Sequence, residues 1–298
     1  MNLFDFQKQF PDDATCMAFL EKQRWGANSE NRFCPHCGAT RTYKYASGKL
    51  YKCGECRKQF TVTVGTIFEG SHIPLQKWFY AAFLNTSLKK GISSIQLAKY
   101  LGITQKSAWF MLQRIRYGME VSGGKGLLGE TNPVEIDETY IGGVQKGRNI
   151  TVQDKAAVFG AVERGGSIKL KHVRSTGSRV LLPAVAKSVK QGATVYSDQL
   201  NAYRILPRLG YMHDSVNHSI DEFGRGVVHT NTIEGTWSHL KLSLKAIYMG
   251  VSKEHLQLYC AEYSFRFNRR DMDDGARFTD WFGYTRGRLT YRTLVSGG

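Results

Sequence analysis

Residues 134–143 read V-E-I-D-E-T-Y-I-G-G, and this stretch decides the fold of the second half of the chain. β-Branched and aromatic residues closed by a glycine pair are typical of a short strand. Asp137 lies inside this otherwise apolar run, where an ionised carboxylate is costly unless a partner neutralises it. A metal cation is the usual partner, and one carboxylate rarely holds a cation alone. The stretch therefore predicts that further carboxylates converge on Asp137.

Composition and charge narrow the class of protein. The 298 residues are 42% hydrophobic, which suits about two globular domains and excludes a disordered chain. The net charge is +16, and residues 31–125 contain 15 Lys or Arg against 3 Asp or Glu. This concentration favours a polyanionic partner, with nucleic acid ahead of an anionic membrane or a merely basic surface. We expect a cytoplasmic protein without a membrane partner, because neither a leader peptide nor an apolar run of roughly 18 residues is present.

Cysteine spacing predicts a zinc ribbon. Four of the six cysteines form two C-x-x-C pairs with 15 residues between them: Cys34, Cys37, Cys53 and Cys56. In a reducing compartment this spacing favours one tetrahedral Zn²⁺ over disulfides, with Gly38 and Gly54 expected in the tight turns. Short strands are predicted at residues 41–45, 50–52 and 59–64. Interleaved basic residues favour contacts with DNA phosphates over a purely structural ribbon. The two single cysteines, Cys16 and Cys260, are expected in the core.

A helix-turn-helix pattern follows the ribbon. Three helices are predicted, at residues 75–88, 95–101 and 105–117, with Gly102 in the last turn. The groove end of the third helix carries the candidate DNA-contacting residues Gln105, Lys106, Ser107 and Trp109. An ordinary three-helix bundle is the alternative.

The second half of the chain supplies the partner acids. Strands are predicted at residues 134–143, 156–163, 168–173 and 192–198, with Gly165-Gly166 in a hairpin turn, and helices at 179–190, from Glu234 onward and at 252–270. Asp198 ends the fourth strand, and Glu234 opens a helix after 35 further residues. Both acids are therefore candidates to join Asp137 at one edge of a sheet. Structural alternatives exist: a strand-end salt bridge, an Asx-turn and, for Glu234, a capping box with Asn231.

Several motifs occur in one order. The cysteine pairs are followed by I-D-E-T-Y-I-G-G (136–143), Y-S-D-Q (196–199), H-T-N-T-I-E-G-T-W-S-H-L-K (229–241) and F-R-F-N-R-R (265–270). With these motifs the chain resembles bacterial insertion-sequence transposases that carry a zinc ribbon and an RNase H-like core. The resemblance implies an α+β or α/β mixed-sheet core and a DDE transposase in which Asp137, Asp198 and Glu234 hold two Mg²⁺ or Mn²⁺ ions. Lys241 stands where many relatives have a DNA-contacting Lys or Arg.

The resemblance also implies partners and a domain order. The expected substrates are the terminal inverted repeats of an insertion sequence and target DNA, and a homo-oligomer is expected because two ends must be joined. A DNA-binding regulator with an inert core and a metal-dependent nuclease are alternatives; the intact acids disfavour the regulator, and the DNA-binding front end disfavours the nuclease. Substitution of Glu135 or Glu138 is expected to cost far less than loss of a proposed ligand. The expected segments are an N-terminal helix (1–30), zinc ribbon (31–70), helix-turn-helix (74–120), catalytic domain (130–270) and C-terminal tail (271–298).

Overall fold

The computed structural model describes residues 1–27, 31–122, 126–142, 155–216 and 224–296. The strands are β1 (Thr42–Lys44), β2 (Tyr51–Cys53), β3 (Gln59–Phe60), β4 (Val134–Ile141), β5 (Ala156–Glu163), β6 (Ile168–Val173), β7 (Thr194–Asp198) and β8 (Met212–Val216). The α-helices are α1 (Leu3–Gln9), α2 (Asp13–Trp25), α3 (Leu75–Ser87), α4 (Ser94–Leu101), α5 (Gln105–Val121), α6 (Ser178–Ser188), α7 (Asn231–Ala246), α8 (Leu256–Phe267), α9 (Asp274–Phe282) and α10 (Tyr291–Val295). The chain divides into two compact units, Met1–Val121 with Asp271–Ser296, and Ser122–Arg270.

The helix-turn-helix segment of the first unit forms as predicted. The Ser93 hydroxyl accepts from the backbone N–H of Gln96 and caps α4, and Gly102 ends this helix with a left-handed φ of 57°. Helices α4 and α5 contact each other, and Leu97 of α4 and Ala108 and Met111 of α5 are all buried. Helix α5 continues to Val121, one turn beyond the predicted end. The three predicted helices are confirmed.

The C-terminal segment completes the first unit. Phe278 and Phe282 of α9 lie 5.9 and 4.7 Å from the ring of Phe79 in α3, measured between centroids. Backbone N–H groups of Ile67 and Gly287 donate to the carbonyls of Thr285 and Gly65, which ties the segment to the chain after the ribbon. Residues 271–296 therefore contribute to the hydrophobic core of the first unit, although their sequence contains no recognisable motif.

One mixed sheet organises the second unit. Its strand order is β6-β5-β4-β7-β8, in which β6, β5 and β4 are antiparallel and both β7 and β8 run parallel to β4. Helix α6 packs on one face through Leu181 and Val185, and helices α7 and α8 cover the other face through residues that include Trp237 and Cys260. This topology confirms the predicted RNase H-like fold. Strand β8, an exposed edge, was not predicted, since M-H-D-S-V lacks a clear apolar alternation.

None of the helices in the described ranges is both long enough and apolar enough to cross a membrane.

Candidate active site

Parallel pairing of β4 with β7 brings two predicted acids together. Val134 pairs with Val195 and Glu135 with Tyr196, so continuing the register sets Asp137 level with Asp198. One carboxylate oxygen from each of Asp137, Asp198 and Glu138 lies within 4.8 Å of the others. The structure thus adds Glu138 to the site. Side chains alternate along a strand, but Glu138 reaches the group because β7 ends at Asp198 and leaves this part of β4 open at its edge.

Burial and like charge act on these carboxylates together. The pKa of Asp137 is raised to about 6, chiefly by burial and also by the charges of Asp198 and Glu234, against a hydrogen bond from Trp237 that lowers it. Carboxylates held together in this way gain stability when a cation neutralises them. An oxygen-only donor set with carboxylates fits Mg²⁺ or Mn²⁺ better than a softer metal.

A tyrosine on the α6 face of the sheet, opposite the face on which Trp237 lies, holds Glu138. The Tyr203 hydroxyl donates to its Oε2 at 2.8 Å. The pKa of Glu138 is raised to about 7, chiefly by burial and also by the charges of Asp137 and Asp198, against the hydrogen bond from Tyr203, which lowers it. Glu138 therefore belongs to the acidic group physically, and the expectation that its loss costs little no longer has a structural basis.

Glu234 lies close to this group without belonging to it. Helix α7 begins at Asn231, so Glu234 is the fourth helical residue and does not open the helix. The Thr230 hydroxyl donates to Glu234 Oε1 at 2.7 Å, and Thr230 occupies the cap position, which rules out the proposed box with Asn231. Glu234 is exposed, and it lies on α7 three residues before Trp237, whose indole contacts the Asp137 carboxylate. Lys241 is exposed two turns farther along α7.

A tryptophan fixes Asp137 from helix α7. The indole N–H of Trp237 donates to Asp137 Oδ2 at 2.7 Å. Gly160 of β5 is the register partner of Asp137, and a Cβ there would lie 2.5 Å from Trp237 Cη2. Only glycine leaves room for this ring against the strand. A lone glycine inside an apolar strand is the sequence signal that could have revealed this close approach.

Glu135 anchors the start of helix α7. Its carboxylate is fully buried, and Oε2 accepts from the backbone N–H groups of Thr232 at 2.8 Å and Ile233 at 3.0 Å. Oε1 accepts from Arg164 Nε at 2.7 Å. A strand residue thus caps a helix distant in sequence, which sets the helix that carries Glu234 against the strand that carries Asp137.

Arg164 extends this anchor to the segment before the helix. Its guanidinium donates to the carbonyl oxygens of Val227 at 2.8 Å and His229 at 3.0 Å. His229 Nδ1 lies 3.2 Å from Glu135 Oε1. The half-buried histidine therefore belongs to the anchor.

The four ribbon cysteines converge in the first unit. Their sulfur atoms lie within 4.8 Å of one another, with 3.7 Å between Cys34 and Cys56 and 3.6 Å between Cys37 and Cys53. A disulfide requires about 2.05 Å, whereas tetrahedral ligands at about 2.3 Å from one zinc ion lie about 3.8 Å apart. Backbone N–H groups of His36 and Cys56 also approach cysteine sulfurs at 3.4 Å. The donor set fits a single tetrahedral metal ion.

The two cysteine turns use equivalent backbone positions. The residue after each pair is left-handed: Gly38 has φ 80° and Arg57 has φ 62°. The prediction for Gly38 is correct. Gly54 also lies in its turn as predicted, close against the Arg41 side chain, but without a positive φ; the left-handed residue of the second turn is Arg57. Strand β3 also ends at Phe60, four residues before the predicted end.

The candidate DNA-contacting residues lie in the first turns of α5. Gln105 and Lys106 are exposed, and Ser107 and Trp109 are half-buried. Gln105 donates to the Ser94 hydroxyl at 2.9 Å, and the Lys106 ammonium lies 5.2 Å from the ring centroid of Tyr291. Helix α10 therefore flanks the start of α5, a feature with no sequence signal.

Known proteins match both halves of the chain. Residues 126–268 match the ISXO2-like transposase domain, and residues 11–59 match the transposase zinc-ribbon domain. An uncharacterised transposase-like protein of Haemophilus influenzae is 33% identical over 100 residues, covering 34% of this chain and 80% of that protein. The chain belongs to the ISXO2-like transposases. An uncharacterised protein in transposable element ISH50 of Halobacterium salinarum is 29% identical to this transposase over 289 residues, covering 87% of this chain and 92% of that protein.

Solved structures of Mos1 transposase are also similar to this transposase. The strand transfer complex has a TM-score of 0.23 and 15% identity, covering 61% of this chain and 73% of that chain. The pre-cleavage transpososome has a TM-score of 0.24 and 14% identity, covering 61% and 74% of the two chains. The RNase H-like assignment rests on the strand order of the sheet.

The ribbon geometry predicts metal-dependent folding of part of this transposase. Cys34→Ser or Cys53→Ser should remove the metal and unfold the ribbon, because metal binding supplies most of the folding free energy of such a module. The Ser122–Arg270 unit should stay folded. Native mass spectrometry should show one zinc ion per wild-type chain and none in the variants, with Cys16→Ser as the control that retains it. A metal-free chain whose ribbon amides remain protected from hydrogen exchange would contradict this prediction.

Proposed function

We propose that this transposase binds the ends of an insertion sequence and catalyses metal-dependent DNA strand cleavage and strand transfer. The observation that carries the proposal is the meeting of Asp137, Asp198 and Glu138 at one sheet edge, with Glu234 close by on α7. A DNA-binding regulator would have no need for half-buried, mutually repelling carboxylates, so the second candidate function is not favoured.

The proposed roles follow from the chemistry of each group. Asp137 and Asp198 would hold divalent ions, with Glu234 completing the set after leaving Thr230, and Glu138 is a further candidate ligand. When bound there, such ions activate an attacking oxygen and stabilise a leaving oxygen of the phosphodiester. Trp237 orients the Asp137 carboxylate, and Lys241 would hold a DNA phosphate as a point charge. In the ribbon the proposed ion is Zn²⁺. Two chains, one for each end, are proposed to act together on end and target DNA.

A strand-cleavage assay tests the proposed activity. Wild-type protein is incubated with labelled duplexes that carry the ends of the element encoding it, in MgCl₂ or MnCl₂. Nicks at the element boundary and joined products with target DNA are expected, and EDTA should abolish both. Nicking without joining would indicate the nuclease alternative, and end binding without either product in both metals would overturn the proposal.

Recognition of the ends is proposed to reside in the first unit. Gln105→Ala or Lys106→Ala should cost about 1–3 kcal/mol of discrimination between end and random DNA if the side chain reads a base edge. Lys99 lies on the neighbouring helix. If its side chain contacts a phosphate, Lys99→Ala should weaken binding to end DNA and to random DNA about equally. Fluorescence anisotropy at several salt concentrations measures both effects, since counterion release makes the phosphate contribution salt-dependent. Unchanged discrimination in both α5 variants would refute this assignment.

A further inference from the structure

A basic cavity opens beside the end of β4, the beginning of β5 and the end of β6. Its volume is about 400 Å³, and it also borders the short 3-10 helix Lys253–His255. The lining residues come from four chain segments of the Ser122–Arg270 unit: Tyr140, Lys155, Ala156, Ala157, His172, Val173, Arg174, Ser175, Thr176 and Lys253. We call this cavity the basic cradle.

The chemistry of the cradle suits an anion. Lys155, Arg174 and Lys253 bring three permanent positive charges, and none of the lining residues is acidic. The cradle also carries hydroxyl groups, and those of Tyr140 and Thr176 lie 3.1 Å apart. Positively charged groups combined with hydroxyl donors are the usual ligands of phosphate oxygens.

His172 reports the local field. Burial lowers its pKa, the charges of Lys171 and Lys253 lower it further, and the nearby Glu254 partly opposes them. The imidazole is therefore neutral near pH 7. The backbone N–H of His172 donates to Gln257 Oε1 at 2.8 Å. The charges of the two lysines thus act on the imidazole against that of the single neighbouring carboxylate.

The position of the cradle relates it to the acidic site. Tyr140 lies three residues after Asp137 on the same strand, which corresponds to about 10 Å at the usual rise of a strand. One DNA strand advances about 3.4 Å per nucleotide along the duplex, so the cradle lies within about three nucleotides of a phosphate placed at the acids. The basic cradle and the acidic site are therefore close enough for one DNA strand to reach both.

We propose that the basic cradle binds backbone phosphates of the DNA strand whose reacting phosphodiester lies at the acidic site. This inference rests on the proposed function and adds a second contact, independent of the helix-turn-helix, that fixes the strand in register. The contact reads no bases, because the lining offers phosphate ligands and lies at sheet ends. It orients the substrate for the reaction.

Salt-dependent binding tests the cradle without requiring cleavage. Arg174→Gln, Lys253→Gln and the double variant of the full chain are titrated with labelled end DNA in CaCl₂. Each lost phosphate contact should reduce the slope of log affinity against log salt by about 0.9. Lys187→Gln, exposed on α6 in the same unit, is the matched control and should keep the wild-type slope.

Crosslinking separates this inference from the proposed activity. A photoreactive p-benzoylphenylalanine at position 140 should crosslink end DNA near the cleavage position, whether or not the protein cleaves. Inorganic phosphate at 10-fold excess over DNA phosphates should compete only weakly. A wild-type slope in the double variant, absence of the crosslink, or ³¹P-detected phosphate binding that leaves DNA binding unchanged would each overturn the assignment to DNA.

Discussion

Asp137→Asn and Asp198→Asn are each expected to lower the rate of end cleavage by about 1,000-fold or more, which corresponds to about 4 kcal/mol of lost transition-state stabilisation. The two carboxylates share one site, so loss of either charge leaves a divalent ion without a full ligand set. Glu234→Gln should have an effect of the same order if this residue leaves Thr230 to complete the set. Single-turnover cleavage of labelled end DNA in MgCl₂ measures the loss.

Controls distinguish lost chemistry from lost folding. Each variant should bind end DNA with wild-type affinity, since residues 31–125, with 15 Lys or Arg against 3 Asp or Glu, carry +12 of the net charge of +16. Glu130→Gln, at an exposed ion pair with Lys190, should cleave at the wild-type rate. Lys241→Ala should slow the reaction with metal retained. If Glu234→Gln cleaves at nearly the wild-type rate and Glu138→Gln loses most of its cleavage activity, the third metal ligand is Glu138 on β4 and not Glu234.

Glu135→Gln should destabilise the second unit by roughly 2–3 kcal/mol. A neutral amide cannot accept both backbone N–H groups of α7 and also neutralise Arg164, and breaking a buried pair leaves a charge uncompensated. The effect stays below that of a fully buried pair because the Arg164 side chain is 21% exposed. The melting transition of this unit should fall by about 5–10 °C in scanning calorimetry.

The same substitution should also slow cleavage. Glu135 sets α7 against β4, so its loss should displace Glu234 and Trp237 from Asp137 even in the folded protein. Glu130→Gln again serves as the control for a Glu-to-Gln change in this unit. A melting transition and a cleavage rate equal to those of the control would show that the anchor contributes nothing, and the structural reading of Glu135 would fail.

Periodic patterns predicted the parts of the fold that depend on local residues. Residues 156–163 and 168–173 alternate or run apolar between turn residues, and both strands form at the predicted bounds. Helix α6 and the helices of the helix-turn-helix follow for the same reason, since an apolar stripe at helical spacing must be buried. The cysteine pairs predicted their own convergence because two short turns suffice to bring four thiolates together.

Long-range contacts account for what the sequence did not reveal. Glu135 caps a helix almost one hundred residues away, and neither segment carries a sign of the other. Glu138 reaches the acidic group through the open edge of β4, which depends on where β7 ends. Helix α9 is buried against α3 and also against α1, so the C-terminal segment packs on the beginning of the chain. Arg57 adopts the left-handed conformation because the residue that follows Cys56 in the second cysteine turn is Arg57 and not a glycine.

The most direct test of the acidic site is diffraction at the manganese absorption edge from crystals of the wild-type protein soaked in MnCl₂. An anomalous peak coordinated by both Asp137 and Asp198 is predicted, and the peak should disappear in crystals of Asp198→Asn. Absence of a peak at these carboxylates, in protein that still cleaves end DNA with Mn²⁺ in solution, would contradict the central claim that this group of acids holds the catalytic metal.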